Sequence, residues 1–190
     1  MLVETGEVIS LLGLGNDLFN LRLRAERITE QAFPGQFVNV YCCEGESFDP
    51  LLPRPLSLFR IKKEDGVLEL VFRVEGKGTS WLSKKVSGDR LQLLGPLGRG
   101  FTELHRFSRV LLFAGGIGMP PLYSLAESGK GVDFTLFYGG RTQGDLVFLE
   151  EWQQIAAQIH LATDDGSVGH QGNLVELASS LLLPRVADFY

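Results

Sequence analysis

Half-way along the chain the hydrophobic period changes, and few folds accommodate such a change. Phe19, Leu21, Leu23 and Ala25 alternate with Asn20, Arg22 and Arg24, the period-two pattern of a strand with one buried and one wet face. The alternation returns at Leu68, Leu70, Phe72 and Val74, set against Glu69, Val71, Arg73 and Glu75. Further strand candidates lie at 6–12, 36–41, 56–61 and 89–94, separated by turn signals such as Pro34-Gly35, Glu64-Asp65-Gly66 and Ser87-Gly88. Six short antiparallel strands with one helix candidate at 79–85 predict a small closed barrel. Closure leaves no exposed edge.

The second half reads differently. Residues 110–114 and 134–138 are continuous apolar runs, as expected for parallel strands covered on both faces. A helix is predicted over 120–128, with Pro120 in its first turn where a missing N–H costs nothing. Leu149, Trp152, Ile155, Ala156 and Ile159 recur at helical spacing, as do Leu174, Leu177, Ala178 and Leu181. Two more strands are expected at 159–163 and 187–190. Strand and helix alternate, the signature of an α/β layer. The predicted fold class is thus a six-stranded antiparallel barrel over 1–100, followed by a parallel-sheet α/β domain over 101–190. The boundary is expected between Gly95 and Phe107, where Gly95-Pro96-Leu97-Gly98 breaks any regular element. Tyr123 and Trp152 read as core residues rather than contact residues.

Charge and cysteine usage remove other classes. Eighteen basic and 23 acidic residues give a net charge of −5, so no basic field invites nucleic acid or an anionic membrane. No apolar stretch approaches the ~20 residues of a membrane span. Glu4 and Glu7 stand where an export signal wants positive charge and then an apolar core, so the expected compartment is the cytoplasm. The two cysteines, Cys42 and Cys43, are adjacent, and the three histidines are scattered. That inventory falls short of a structural zinc or iron–sulfur ligand set.

Four motifs are candidates for chemistry. Gly115-Gly116-Ile117-Gly118 follows an apolar strand and opens a helix, where glycines let the backbone approach a pyrophosphate. It departs from G-x-G-x-x-G at Pro121, and the residues alone fit a ligand-free strand–helix turn equally well. Thr163-Asp164-Asp165 follows a later strand, and short hydroxyls and carboxylates there suit ribose hydroxyls or a plain Asx-type turn. Tyr138-Gly139-Gly140-Arg141 ends the preceding strand on the same rim. In the first half, Arg54-Pro55-Leu56-Ser57 leads into a strand, offering a guanidinium for a phosphate and a hydroxyl for a planar heterocycle. Gly76-Lys77-Gly78-Thr79 then opens a helix with Thr79 as a candidate N-cap, and the residues alone fit an exposed ion pair at Arg54 and a plain turn at Gly78 equally well.

Taken in order, Arg-Pro-Leu-Ser, Gly-Lys-Gly-Thr, Gly-Pro-Leu-Gly and Gly-Gly-Ile-Gly-x-Pro-Pro-Leu resemble the ferredoxin–NADP reductase superfamily over essentially the whole chain. Within it the sequence is most similar to the electron-transfer subunits of class B dihydroorotate dehydrogenase. The resemblance implies an FAD-binding barrel, a pyridine-nucleotide domain and electron transfer between NAD and an FMN-containing catalytic subunit, in a heterotetramer serving pyrimidine biosynthesis. It implies that Arg54 contacts the FAD pyrophosphate and that Ser57, within Arg54, Pro55, Leu56 and Ser57, faces the isoalloxazine. Val71, Phe72 and Arg73 would line the flavin, and Gly78 and Thr79 would cradle the pyrophosphate. Gly115, Gly116 and Gly118 would hold NAD, with Thr163, Asp164 and Asp165 nearby, the acidic pair disfavouring a 2′-phosphate. No side-chain acid or base is assigned, because the flavin carries the chemistry. Relatives continue past a strand like 187–190 into a Cys-Gly-Pro turn and a four-cysteine [2Fe–2S] segment, neither of which these 190 residues contain. The α/β domain is therefore expected to be incomplete at its C-terminal end. Another NAD(P)H-dependent, ferredoxin- or hydrogenase-linked oxidoreductase of this fold and a cofactor-free binding module are the alternatives.

Overall fold

The structure, a computed structural model, describes residues 2–43, 49–101 and 104–182. The chain divides into two compact units, Met1–Thr102 with Pro120–Ser128, and Glu103–Met119 with Gly129–Tyr190.

The first unit is a closed antiparallel barrel of β1 (Leu2–Gly15), β2 (Leu18–Arg24), β3 (Phe37–Val40), β4 (Arg54–Lys62), β5 (Val67–Arg73) and β6 (Arg90–Leu97), in the order β1-β2-β5-β4-β3-β6. Val8, Leu21, Leu23, Val38, Leu58, Leu68, Leu70 and Leu93 fill its interior at 0% exposure. Two short helices, α1 (Glu26–Gln31) and α2 (Lys77–Leu82), add Ile28 and Leu82 to the same core. Sequence periodicity does not reveal α1, which has six residues. Its first turn is completed from β1, where the Glu4 carboxylate accepts from the N–H groups of Arg27 (3.2 Å) and Ile28 (2.8 Å). Strand β1 is longer than expected because it serves two partners, β6 through Leu2–Glu7 and β2 from Glu7 onward.

Three expectations need correction here. Strand β5 is buried on both faces, with Glu69 at 3% and Val71 at 3% exposure, and Asn20 on β2 is likewise buried. The outer face of this part of the barrel is covered instead of wet, and Asn20 Nδ2 donates to Glu69 at 3.2 Å. Gly95-Pro96-Leu97 does not end a strand: β6 runs through it, pairing Gly95 with Leu2 and Leu97 with Phe37. Pro96 sits where the β3–β6 register shifts, a position at which a missing N–H is tolerated. Thr79 is not the N-cap of α2, which starts at Lys77. The two cysteines follow the end of β3; Cys42 is buried, and burial pushes its thiol up to about 11.

The second unit holds a four-stranded parallel sheet, ordered β10-β9-β8-β7, of β7 (Arg109–Gly115), β8 (Asp133–Gly140), β9 (Gln158–Thr163) and β10 (His170–Gln171). Helices α4 (Leu149–Gln153) and α5 (Leu174–Leu182) pack with it, while α3 (Met119–Ser128) groups with the barrel from Pro120 onward. Helix α4 stops at Gln153, so the helical spacing read out to Ile159 runs past the helix into β9. Strand β7 is covered on one face only: Leu112 and Ala114 are buried, whereas Leu111 and Phe113 stay 47% and 48% exposed. Trp152 is fully buried and Tyr123 is 2% exposed, both in core positions. The strand expected at 187–190 lies outside the described residues. No helix among the described residues is long and apolar enough to cross a membrane.

Candidate functional site

In the barrel, β4 changes partners midway. Arg54, Pro55, Leu56 and Ser57 pair with Val40, Asn39, Val38 and Phe37 of β3, while Leu58 to Lys62 pair with Leu70 to Val67 of β5. On the other side, Val71, Phe72 and Arg73 pair with Asn20, Phe19 and Leu18 of β2. Among the described residues, 54–57 of β4 and 71–73 of β5 therefore do not pair with each other, and a seam opens between two strands that are bonded further along. Backbone groups along such a seam are available to a planar ligand.

Helix α2 starts beside this seam. A Cβ on Gly78 would lie 2.6 Å from Arg54 Nε and 3.0 Å from Cζ, so the missing side chain is what lets the guanidinium lie across the helix. Arg54 Nη1 also donates to the Leu52 carbonyl at 2.7 Å, fixing the arginine at the mouth of β4. Thr79 Oγ1 accepts from the N–H groups of Glu75 (3.0 Å) and Gly76 (3.2 Å), and so shapes the loop that leads into α2. Leu56 and Phe72 place their side chains in the barrel core, so any ligand contact from them runs through the backbone. Phe72 stacks on Phe19 with ring centroids 5.6 Å apart. Pro55 is exposed, Ser57 and Arg73 half-buried, and Arg73 Nη1 donates to the Asn16 carbonyl at 3.1 Å.

In the second unit, parallel register brings three loops to one rim. Gly115 pairs with Gly139, Gly139 with Ala162, and Gly140 with Thr163, so the turns after β7, β8 and β9 leave the sheet side by side. This carboxyl edge is where open α/β sheets bind ligands. The turn Gly116–Gly118 is 3₁₀, with Gly116 at φ +47°, a conformation that favours glycine. A Cβ on Gly115, Gly116 or Gly118 would meet nothing within 4 Å, so protein packing does not demand glycine at these positions. Open space over a bare backbone is what a phosphate group needs.

Thr163 is fully buried and its hydroxyl is engaged within the rim: Oγ1 donates to the Val168 carbonyl (2.8 Å) and accepts from its N–H (3.1 Å). Asp164 and Asp165 are exposed. Asp165 Oδ1 accepts from the Ser167 hydroxyl (2.6 Å) and N–H (3.0 Å), which holds its carboxyl below the usual range and keeps it anionic.

Sequence reasoning missed the residue that organises this rim. Asp145 is 3% exposed, and its Oδ2 accepts from the N–H groups of Arg141 (3.1 Å) and Thr142 (3.3 Å). The Tyr138 hydroxyl donates to the Asp145 carbonyl at 3.2 Å and accepts from Val147 N–H. A Cβ on Gly140 would come 2.9 Å from that of Asp145, so Gly140 makes room for the aspartate. The signal was present as Thr142-x-x-Asp145, the spacing of a capping box. Gln143 N–H donates to Ser167 Oγ at 2.7 Å, joining the loops after β8 and β9.

Known proteins share this fold. No protein-family model matches the chain. The dihydroorotate dehydrogenase B (NAD(+)) electron transfer subunit of Desulforamulus reducens is 40% identical over 177 residues, 92% of this chain and 67% of that protein. The subunit of the same name from Enterococcus faecalis strain V583 is 35% identical over 190 residues, 97% of this chain and 71% of its own length. Among solved structures, an NADH-dependent reduced ferredoxin–NADP oxidoreductase aligns with a TM-score of 0.80 and 31% identity, over 93% of this chain and 62% of the other. A Neisseria gonorrhoeae ferredoxin–NADP+ reductase with bound FAD and NADP aligns at 0.78 and 16% identity, over 98% and 79%, which shows the fold. Barrel, parallel sheet and rim thus define a ferredoxin–NADP reductase-like oxidoreductase. Within that class, the chain belongs to the family of dihydroorotate dehydrogenase B (NAD(+)) electron transfer subunits. It spans about two thirds of the length of the curated relatives it matches.

Proposed function

We propose that this chain binds FAD in the barrel and NAD at the rim of the parallel sheet, and carries electrons between NAD and an FMN-containing dihydroorotate dehydrogenase subunit in the cytoplasm. The observation that supports this best is the seam between 54–57 and 71–73, with Arg54 lying over Gly78 at its end. The seam suits a planar ring, the guanidinium suits a pyrophosphate, and the sequence order matches the family's flavin motif. FAD supplies the hydride and single-electron chemistry when bound. The chain's own part is to orient it: Arg54 as the phosphate contact, Ser57 and the 71–73 backbone along the ring, Gly78 as the space that admits Arg54, and Thr79 as the brace of the α2 loop. Gly115, Gly116 and Gly118 would take the NAD pyrophosphate. Asp164 and Asp165 would face the ribose and repel a 2′-phosphate, favouring NAD over NADP. In this reading the FAD domain is 1–100 and the nucleotide domain 101–190, although residues 120–128 group with the barrel unit. A [2Fe–2S] cluster needs more ligands than Cys42 and Cys43 provide, so no step is assigned to one in this chain.

A second reading, the flavin subunit of another NAD(P)H-linked oxidoreductase, is favoured by the 31% identity to the NADH-dependent ferredoxin–NADP oxidoreductase. One set of measurements separates the readings. The gently purified protein should show flavin absorption bands, release FAD on denaturation, bind NADH more tightly than NADPH, and co-purify with a co-expressed FMN-containing dihydroorotate dehydrogenase subunit. A colourless protein that takes up no added FAD would overturn the flavin assignment. FAD binding without capture of that subunit would favour the second reading.

A further inference from the structure

Arg60 lies three residues beyond the Arg54–Ser57 motif on β4, and its guanidinium is engaged in several directions at once. Nη2 donates to the Tyr123 hydroxyl at 2.7 Å and Nε to Glu127 Oε1 at 3.2 Å, both on α3. Nη1 stands 3.8 Å from Glu69 Oε2 on β5. The guanidinium carbon also sits 5.0 Å from the Phe59 ring centroid and 4.8 Å from that of Tyr123, and those two rings lie 4.6 Å apart. Glu69, with only 4% of its side chain exposed, is further compensated by Arg22 at 3.4 Å and Lys62 at 3.5 Å. Burial lowers the tendency of Arg60 to hold its proton, but the Tyr123 bond and the flanking carboxylates more than reverse this.

Such a planar fork, bonded to a hydroxyl and a carboxylate one helical turn apart, recognises the α3 face in one orientation; a lysine cannot reproduce it. Helix α3 is the segment that enters directly from the 115–118 glycine turn, with Met119 as its first residue. From these contacts we infer that Arg60 is a positioning residue for pyridine-nucleotide binding. It holds α3 to β4 and β5 within the barrel unit, and acts through α3, the helix into which the glycine turn runs in sequence. The inference rests on the NAD assignment made above, but not on the FAD assignment.

Two readouts on the full chain test it: amide hydrogen exchange across 122–128, and NADH affinity by nucleotide fluorescence. In Arg60→Met, exchange along α3 should accelerate and NADH affinity should fall, each by about tenfold, the scale of losing a charged hydrogen bond. Exchange in β6, which carries none of these contacts, should keep its wild-type rate, and Arg60→Lys should recover the charge but not the affinity. Unchanged α3 exchange, or loosened α3 with wild-type NADH affinity, would overturn the inference. If Arg60→Met does not fold, Glu127→Gln and Tyr123→Phe remove one bond each, and neither shifting either readout would equally overturn it. Should the wild-type protein bind no FAD, the flavin assignment fails while both readouts still decide the role of Arg60. Should it bind no NADH, the rim assignment fails first, and the positioning role falls with it.

Discussion

At the residue scale, the flavin assignment concentrates on a missing methyl group. Gly78 has no left-handed φ to excuse it, and as the second residue of α2 it stands in the first turn, where glycine gains the helix nothing over alanine. What it provides is room for Arg54, the far end of a flexible side chain. Gly78→Ala should therefore displace the arginine without unfolding the barrel. The thermal midpoint should stay within a few degrees of wild type or rise, because alanine favours the helix, while FAD affinity falls at least tenfold, the scale of one charge-assisted contact. Flavin titration alongside thermal denaturation checks this. Wild-type FAD affinity in the variant would show that the Arg54–Gly78 contact is mere packing. The same contrast separates Gly78 from Gly116, which needs its left-handed φ whatever it binds.

Elements explain which parts of the fold were legible in advance. The six barrel strands were readable because Leu21, Leu23, Leu68 and Leu70 put a core residue at every second position, and a barrel interior demands that period. Exposure of the opposite face was not readable, since period two says only that one face is apolar. Glu69 looks like a solvent residue until Arg22, Arg60 and Lys62 are seen around it, and those partners come from other strands. Helix α1 was hidden for a similar reason, its first turn being completed by Glu4 from β1. Candidate site segments were legible as glycine and hydroxyl clusters, but not what each side chain does: Thr163 and Thr79 turned out to brace loops. The loop after β8 depends on Asp145, a buried carboxylate accepting two backbone N–H bonds. Asp145→Ala leaves those donors without their acceptor and should lower stability by about 1–3 kcal/mol. It should also weaken NADH binding while leaving FAD content unchanged, as measured by urea denaturation and paired ligand titrations. Loss of FAD as well would mean that Asp145 supports more than the rim.

For the whole molecule, the division into two compact units matters because every proposed flavin residue falls in one unit and every proposed nucleotide residue in the other. Arg54 to Ser57, Val71 to Arg73, Gly78 and Thr79 belong to the barrel unit. Gly115, Gly116, Gly118 and Thr163 to Asp165 belong to the sheet unit. A ligand that binds only the folded form of one unit stabilises that unit by mass action, about 2.7 kcal/mol at a hundredfold excess over its dissociation constant. Local opening within a unit is suppressed in proportion, and hydrogen exchange reads it segment by segment. FAD alone should therefore slow exchange at 54–57, 71–73 and 77–82, and NADH alone at 115–118, 139–143 and 163–168. Helix α3 is the informative exception, because its sequence leaves the nucleotide turn while its packing through Tyr123 and Glu127 belongs to the barrel. Protection of 122–128 by NADH as well as by FAD would mean that nucleotide binding is felt through the helix that Arg60 holds. Protection by FAD alone would confine α3 to the barrel's own stability, and the two candidate sites would then act as separate binders carried on one chain.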